Sequence, residues 1–186
     1  MKNIQIPIPI TNQCDKGACS VAVISAIYYY WNGFNPKLYF QNDFSNLLNR
    51  PAEMGVQILD IVKSLKELKF YTSYKKNLST EDLSNYIKKG YTPIILMQGF
   101  QRQYPENWDN IWNSGHATAL VGINKKRAFF MDPLLKDAYA WLDISEFNER
   151  WHTYNYMCER DYHGAILIKG RKPAVGCNHK KLQEMF

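Results

Sequence analysis

In the first half of the chain, hydrophobic residues are spaced as in helices. Residues 19–31 are apolar on nearly every face, which is typical of a buried helix, and an Asn-Gly pair ends this run. Weaker periodicity over residues 35–49 predicts a second helix. Residues 54–68 place apolar side chains at a close helical spacing, and residues 79–90 start with a capping serine and end with a glycine. The first half is therefore expected to be largely helical.

Short apolar and alternating runs predict strands, most of them in the second half of the chain. These runs lie at residues 70–74, 93–98, 116–123, 128–131, 138–142 and 164–168. Lys125-Lys126 separates two of the runs and predicts a tight turn between neighbouring strands, while residues 143–151 predict a short helix. Helices followed by strands indicate an α+β protein with two lobes.

The length of the chain, 186 residues with 46% hydrophobic residues, fits one domain with a proper core. We expect a single domain over residues 1–186. It divides into a helical lobe at about residues 12–90, a sheet lobe at about 91–168 and a short basic tail at 169–186.

The connection at residues 99–115 is long and rich in aromatic residues, and a connection of that length in a compact domain is usually functional. Trp108 and Trp112 could belong to the core or line a substrate cleft. Together with Gly115 they form the predicted substrate-binding set.

Charge and targeting signals exclude several classes of function. The net charge of +6 is spread along the chain, so a nucleic-acid partner is not expected. No apolar run is long enough to span a membrane, and no signal peptide precedes the first helix, so a membrane partner is not expected. We expect a cytoplasmic protein, or one exported by a route that reads no N-terminal signal. The four cysteines are expected to be free thiols, without a metal or organic cofactor.

Four residues have the order and spacing of a cysteine-nucleophile site. Cys19 opens the most apolar helix, where the helix dipole and a neighbouring imidazole would stabilise a thiolate. His116 would move the proton, and Asp132 would fix the orientation of its ring. The side-chain amide of Gln13 and the backbone N–H of Cys19 would stabilise the oxyanion. A tight turn can bring His116 and Asp132 together across their sixteen-residue separation.

Each cysteine also has a simpler interpretation. Taken alone, Cys19 would be a buried structural thiol, because unpaired cysteine is among the most buried residue types. Cys14 is interpreted as structural, or as a redox partner of Cys19. The co-occurrence of Cys19 with Gln13, His116 and Asp132 favours catalysis.

The motif from Asn12-Gln13 to Cys19 resembles that of papain-like cysteine peptidases. The spacing from His116 to Asp132-Pro133 is similar to the C39-like branch, which includes the peptidases that cleave bacteriocin leaders. The similarity covers roughly residues 10–168, although Ser20 stands where a glycine often follows the nucleophile. This resemblance implies a papain-like fold in which the nucleophile helix of an N-terminal helical lobe packs on a C-terminal antiparallel sheet lobe.

Three functions are compatible with these residues. The first is hydrolysis of a peptide bond in a peptide or protein through a thioester, with a small residue before the scissile bond if the resemblance extends to the substrate. Such a domain would suit a leader-processing protease, or a bacterial effector or toxin that has an inhibitor or immunity protein as a partner. The second is glutamine deamidation or acyl transfer with the same triad. The third is a catalytically inactive module that binds peptides or proteins.

Overall fold

The computed structural model describes residues 3–33, 41–51, 55–99, 105, 107–155, 157–174 and 182–185. The helices are α1 (Cys19–Asn32), α2 (Gln41–Leu47), α3 (Ile58–Glu67), α4 (Thr80–Lys88) and α5 (Ile144–Arg150), with a 3-10 turn at Trp108–Asn110. The strands are β1 (Tyr71–Lys75), β2 (Thr92–Gln98), β3 (Gly115–Ile123), β4 (Arg127–Met131), β5 (Tyr139–Asp143), β6 (His152–Tyr154), β7 (Arg160–Tyr162), β8 (Ala165–Lys169) and β9 (Leu182–Glu184).

Within these residues one seven-stranded sheet has the order β1-β8-β2-β3-β4-β5-β9. Its neighbouring strands are antiparallel except for β5 and β9, which are parallel. Strands β6 and β7 form a separate antiparallel hairpin. Strand β1 joins this sheet although it lies within the range expected for the helical lobe, and β9 joins it from the tail. The α+β fold class predicted from the sequence is confirmed.

Helix α1 forms the centre of the core. Nearly all of its residues are buried, because it contacts β3 and α2. Full burial of an aliphatic side chain such as Ile24 or Ile27 stabilises the fold by roughly 1.5–3 kcal/mol. The helix ends at Gly33, whose positive φ of 72° suits a residue without a side chain. This packing fixes the position of Cys19, the first residue of α1.

The N-terminal segment runs beside β3 before it reaches α1. The backbone N–H groups of Gln5 and Ile6 both donate to the carbonyl of Val121, at 2.8 and 2.9 Å. A Cβ atom at Gly122 would lie 1.9 Å from the carbonyl oxygen of Asn3, so only glycine permits this approach. The segment is thereby tied to the strand that carries His116.

The turn predicted at Lys125-Lys126 is confirmed. The side-chain oxygen of Asn124 accepts hydrogen bonds from the backbone N–H groups of Lys126 and Arg127, at 2.8 and 2.9 Å. The backbone N–H of Asn124 donates to the carbonyl of Arg127 at 2.9 Å, which closes the turn. Because β3 and β4 are antiparallel, the start of β3 and the end of β4 lie at the same end of the hairpin.

The helix predicted over residues 54–68 is shorter than expected. Residue 54 lies outside the described residues, and α3 begins only at Ile58. Gln57 is the N-cap and has an extended backbone, with φ −70° and ψ 146°. Gly55 weakens the start of the predicted helix, because glycine has a low helix propensity. The part of the 35–49 prediction before residue 41 also lies outside the described residues.

In the described part of the chain, no helix is both long enough and apolar enough to cross a membrane.

Candidate active site

Three elements bring Cys19, His116 and Asp132 together. Cys19 is the first residue of α1, His116 is the second residue of β3, and Asp132 directly follows β4. The Nε2 atom of His116 lies 3.0 Å from Oδ1 and 3.1 Å from Oδ2 of Asp132. Asp132 is fully buried, and its Oδ1 also accepts the backbone N–H of Leu134 at 2.8 Å. The carboxylate is therefore held in place on both the ring side and the backbone side.

The sulfur of Cys19 is surrounded by hydrogen-bond donors. Burial raises the pKa of the Cys19 thiol. The hydrogen bond and the charge of His116, together with the backbone N–H groups of Ala117 and Ser20, lower this pKa by more than burial raises it. The pKa of Cys19 consequently lies below its ordinary value. Because Nε2 of His116 faces Asp132, Nδ1 is the ring nitrogen that can hydrogen-bond to the Cys19 sulfur.

The His116 ring is held in its charged form. Burial alone would lower its pKa, but the charge and hydrogen bond of Asp132, together with the Cys19 sulfur, raise it from 6.5 to about 10. A raised imidazole pKa beside a lowered thiol pKa favours a thiolate–imidazolium pair at neutral pH.

The start of α1 adds to the stabilisation of a thiolate. The N-cap residue Ala18 has no side chain that could bond to the first-turn N–H groups, and this turn contains no acidic residue. The positive end of the helix dipole is therefore not neutralised by a local carboxylate. A negative charge on the Cys19 sulfur is favoured at this position.

Gln13 lies in the loop that precedes α1, and this loop is attached to the segment after Asp132. The backbone N–H of Gln13 donates to the carbonyl of Pro133 at 3.0 Å. The side-chain amide of Asn12 donates to the carbonyls of Pro133 and Leu135, at 3.2 and 2.9 Å. The Nε2 atom of Gln13 donates one proton to the carbonyl of Asp15 at 3.0 Å, and an amide nitrogen carries a second proton.

A cleft of about 240 Å³ opens over Cys19 and His116. One wall is the segment 55–58, which includes the residues that the sequence had assigned to the start of a helix. Thr153 and Tyr154 of β6 form another wall. Sequence reasoning missed both walls, and the glycine at the start of the 55–58 segment was the one signal that the chain is not helical there.

The three residues of the predicted substrate-binding set lie in different surroundings. Gly115 lines the cleft, and no atom lies within 4 Å of the place where a side chain would begin. The half-buried ring of Trp112 packs against Tyr154, a residue of the cleft wall, with 5.1 Å between ring centroids. Trp108 is only 2% exposed, and its ring lies 3.6 Å from the guanidinium carbon of Arg150. The structure therefore places Trp108 in the core and not in the cleft, because its turn packs against α5.

Cys14, Cys19 and Cys158 are unpaired thiols, and Cys177 lies outside the described residues. Of these three, only Cys19 contacts His116 in the arrangement described above.

The profile of the Peptidase_C39 like family matches residues 5–159, a range that contains all four predicted catalytic residues. The chain belongs to this family. It is therefore a papain-like cysteine protease, a hydrolase. No curated protein sequence matches this C39-like peptidase at a significant level.

Several solved structures share the fold of this C39-like peptidase. The peptidase domain of Streptococcus ComA, a bi-functional ABC transporter involved in a quorum sensing pathway, has 19% identity and a TM-score of 0.60, covering 87% of this chain and 97% of that chain. A candidate C39-like peptidase from Bacillus anthracis has 17% identity and a TM-score of 0.63, covering 91% and 98%. A double glycine motif protease from an AMS/PCAT transporter, in complex with the leader peptide, has 16% identity and a TM-score of 0.61, covering 89% and 94%.

Proposed function

We propose that this protein is a leader-processing type of cysteine peptidase that cleaves a peptide after a small residue. Cys19 is the nucleophile, His116 is the general acid and base, and Asp132 orients the imidazole. The observation that carries this proposal is the convergence of a buried carboxylate, a histidine and a thiol of lowered pKa at the start of the central helix.

The geometry supports a thioester mechanism. The Cys19 thiolate attacks the carbonyl carbon of the scissile bond, a C–S bond forms, and the carbonyl oxygen becomes an oxyanion. The second Nε2 proton of Gln13 and the backbone N–H of Cys19 stabilise that oxyanion. When the intermediate collapses, the C–N bond breaks, and the imidazolium of His116 gives its proton to the leaving amine.

Hydrolysis of the thioester completes the cycle. His116, now neutral, takes a proton from a water molecule, whose oxygen attacks the thioester carbon. The C–S bond then breaks, the peptide leaves as a carboxylic acid that gives its proton to the solvent, and the thiolate–imidazolium pair is restored. Asp132 keeps Nε2 of His116 bonded throughout, so that Nδ1 exchanges the proton.

The shape of the cleft supports a small residue at the cleavage site. Its volume of about 240 Å³ lies below the roughly 300–1,000 Å³ of pockets that hold drug-sized ligands. The related protease that was solved with a leader peptide is described as a double glycine motif protease. The small volume of the cleft and the description of this relative therefore both support a pair of glycines before the scissile bond.

Cleavage of a synthetic peptide tests this proposal. The substrate carries Gly-Gly before the scissile bond, and matched peptides carry Ala-Ala or Leu-Leu at the same place. We expect kcat/KM to fall from Gly-Gly to Leu-Leu, and we expect Cys19→Ala to abolish cleavage. Equal cleavage of all three peptides would contradict the small-residue preference. A glutamine-containing peptide that gains about one dalton without cleavage would indicate deamidation instead.

The biological setting can be tested with the same enzyme. Leader processing predicts that bacterial leader peptides with a double glycine are cleaved in preference to proteins of another cell. An effector or toxin role predicts the reverse preference, measured by mass spectrometry of cleaved termini in a mixed proteome.

A further inference from the structure

The loop that carries Gln13 is bound from the side of α2 by a single side-chain amide. Gln41, the first residue of α2, accepts the backbone N–H of Cys14 through its Oε1 atom at 3.1 Å. Its Nε2 atom donates to the carbonyl of Asn12. Gln41 therefore binds the backbone on both sides of Gln13, which restricts the rotation of the loop about that residue.

A second contact to the same loop comes from Arg50, which lies just after α2. Its Nη2 atom donates to Oδ1 of Asp15 and, at 3.1 Å, to the carbonyl of Lys16. Its Nη1 atom donates to Oδ2 of Asp15 at 3.3 Å. The carbonyl of Asp15 in turn accepts Nε2 of Gln13 at 3.0 Å. Arg50 thus holds the residue that orients the Gln13 amide.

The burial of Arg50 distinguishes this contact from an ordinary surface ion pair. The Arg50 side chain is only 4% exposed, although its partner Asp15 is 41% exposed, whereas the two side chains of the Arg127–Asp143 pair are 45% and 58% exposed. A buried guanidinium is costly to desolvate unless its N–H groups donate hydrogen bonds. When two of its N–H groups donate to the same carboxylate, they also fix the orientation of that carboxylate. Exposed pairs contribute little by comparison. The chain therefore buries the guanidinium of Arg50 against the loop that carries the predicted oxyanion donor, even though the carboxylate of Asp15 reaches solvent.

We propose that Arg50 and Gln41 are positioning residues for the peptidase reaction, which hold the Gln13 amide where the oxyanion develops. This proposal rests on the proposed function, because it requires Gln13 to be the oxyanion donor. Donors stabilise an oxyanion only when they are already oriented towards it. Arg50 and Gln41 therefore act on the tetrahedral step through Gln13 and leave the Cys19–His116 pair unchanged.

Two reactions of Cys19 separate these effects. Cleavage of the Gly-Gly peptide passes through an oxyanion, whereas alkylation of Cys19 by iodoacetamide displaces iodide and forms none. We expect Arg50→Met and Gln41→Met each to lower kcat about tenfold, because misplacement of a catalytic group costs up to about a hundredfold. The alkylation rate of Cys19 should stay within about twofold of wild type in both variants, because the thiolate is intact. Arg127→Met is the matched control, and it should change neither rate.

A double-mutant comparison with Gln13→Ala tests the route of the effect. The loss of an oxyanion donor costs about a hundredfold or more in kcat, and we expect this loss for Gln13→Ala. If Arg50 acts through Gln13, adding Arg50→Met to Gln13→Ala should lower kcat by no more than about twofold. A full further tenfold loss would overturn the positioning role, as would a parallel loss of alkylation in the single variants.

The outcomes also separate this inference from the proposed function. If Gln13→Ala lowers kcat while Arg50→Met and Gln41→Met do not, only the positioning role is overturned. If Gln13→Ala leaves kcat unchanged, the oxyanion role of Gln13 is wrong and the positioning role fails with it. Should Arg50→Met fail to fold, Gln41→Met and the partial rescue expected for Arg50→Lys still decide the question.

Discussion

The two cysteines that flank the loop before α1 lie in opposite electrostatic surroundings. Cys19 is half-buried, and its pKa is lowered because His116 and two backbone N–H groups face the sulfur. Cys14 is exposed, yet partial burial and the neighbouring carboxylate of Asp15 raise its pKa. The reactivity of these thiols should therefore follow the local charge and not the exposure of the sulfur.

Limiting iodoacetamide with peptide mapping tests that contrast within one molecule. Near pH 6, we expect Cys19 to be labelled before Cys14, and we expect His116→Ala to remove this preference, because only thiolate reacts. Equal labelling of both cysteines in the wild type would mean that the Cys19 thiolate is not formed.

The pH dependence of labelling tests the role of Asp132. Thiolate is present above the pKa of Cys19 and is lost as the pH falls through that value. The Asp132 charge raises the pKa of His116. Asp132→Asn should therefore lower the pKa of His116 and, because the thiolate loses a neighbouring positive charge, raise the pKa of Cys19. We expect the onset of labelling to move to higher pH in Asp132→Asn. An onset at the wild-type pH would contradict the orienting and charge-stabilising role of Asp132.

A buried hydroxyl near the site gives a prediction about stability. Thr118 of β3 is fully buried, and its Oγ1 atom has no hydrogen-bond partner among the described residues. Thr118→Val keeps the shape and removes an unpaired polar atom, so we expect the free energy of unfolding to rise by about 1 kcal/mol. The control is Thr92→Val, because the buried Thr92 hydroxyl bonds Ile168 and Trp31 and its loss should destabilise the fold. Urea unfolding measures both, and a destabilised Thr118→Val would contradict the prediction.

For individual residues, spacing in the sequence predicted the contact between His116 and Asp132. The sixteen-residue separation across a tight turn was sufficient to place Asp132 beside His116. The contacts of Gln41 and Arg50 to the Gln13 loop were not predictable, because they join positions 27 and 35 residues apart through side chains that follow no local pattern.

Among the elements, Gln98 at the end of β2 joins two walls of the site. Its buried amide accepts the backbone N–H of Ser114 and donates to the carbonyl of His152, each at 3.0 Å. Ser114 directly precedes the start of β3, and His152 begins β6. One side chain therefore sets the spacing between the His116 strand and the cleft wall at Tyr154.

Gln98→Met should widen the cleft and destabilise the protein. The buried carbonyl of His152 would lose this partner at a cost of about 1–3 kcal/mol, and the part-buried N–H of Ser114 would lose it at a smaller cost. We expect a lower free energy of unfolding and a raised KM for the Gly-Gly peptide, with a smaller change in kcat. Gln183→Met on the exposed strand β9 is the control. An unchanged KM would show that Gln98 has no influence on the cleft.

Two glycines at the same end of β2 and β3 form a matched pair. A Cβ atom at Gly99 would lie 2.7 Å from Cβ of His116, whereas one at Gly115 would meet open space. We expect Gly99→Ala to displace His116 and to slow both alkylation and peptide cleavage. Gly115→Ala should leave alkylation unchanged and raise KM, because the new methyl group enters the cleft. If Gly115→Ala binds the peptide normally, Gly115 does not contact the substrate.

The elements that sequence reasoning missed are those with little local signal. Strands β6 and β7 have three residues each, and their hairpin is covered by the ring of Trp112, which lies far away in the sequence. The extended segment 55–57 lies directly before the apolar periodicity of α3 and gives no strand pattern of its own, and it lines the cleft. By contrast, the capping box at Ser79 and Asp82 is local, and the helix that it predicted is present.

For the whole molecule, the order of helices and strands predicted the fold class but not the order of strands in the sheet. Strand β8 pairs between β1 and β2, and β9 adds to the opposite edge beside β5. These pairings join distant parts of the chain. The spacing of hydrophobic residues and the residues typical of turns are local patterns, so they do not determine which distant strands pair. The buried helix α1 was visible in the sequence because nearly all of its faces are apolar, and this helix places Cys19 at the cleft.

The most direct test of the central claim is to trap the acyl-enzyme. The protein is mixed with the Gly-Gly peptide, quenched rapidly with acid, and mapped by mass spectrometry. We predict a transient adduct of the N-terminal peptide fragment on Cys19, released as a carboxylic acid, and no adduct in Cys19→Ala. Peptide cleavage without any adduct on Cys19, or an adduct on another residue, would contradict the thioester mechanism.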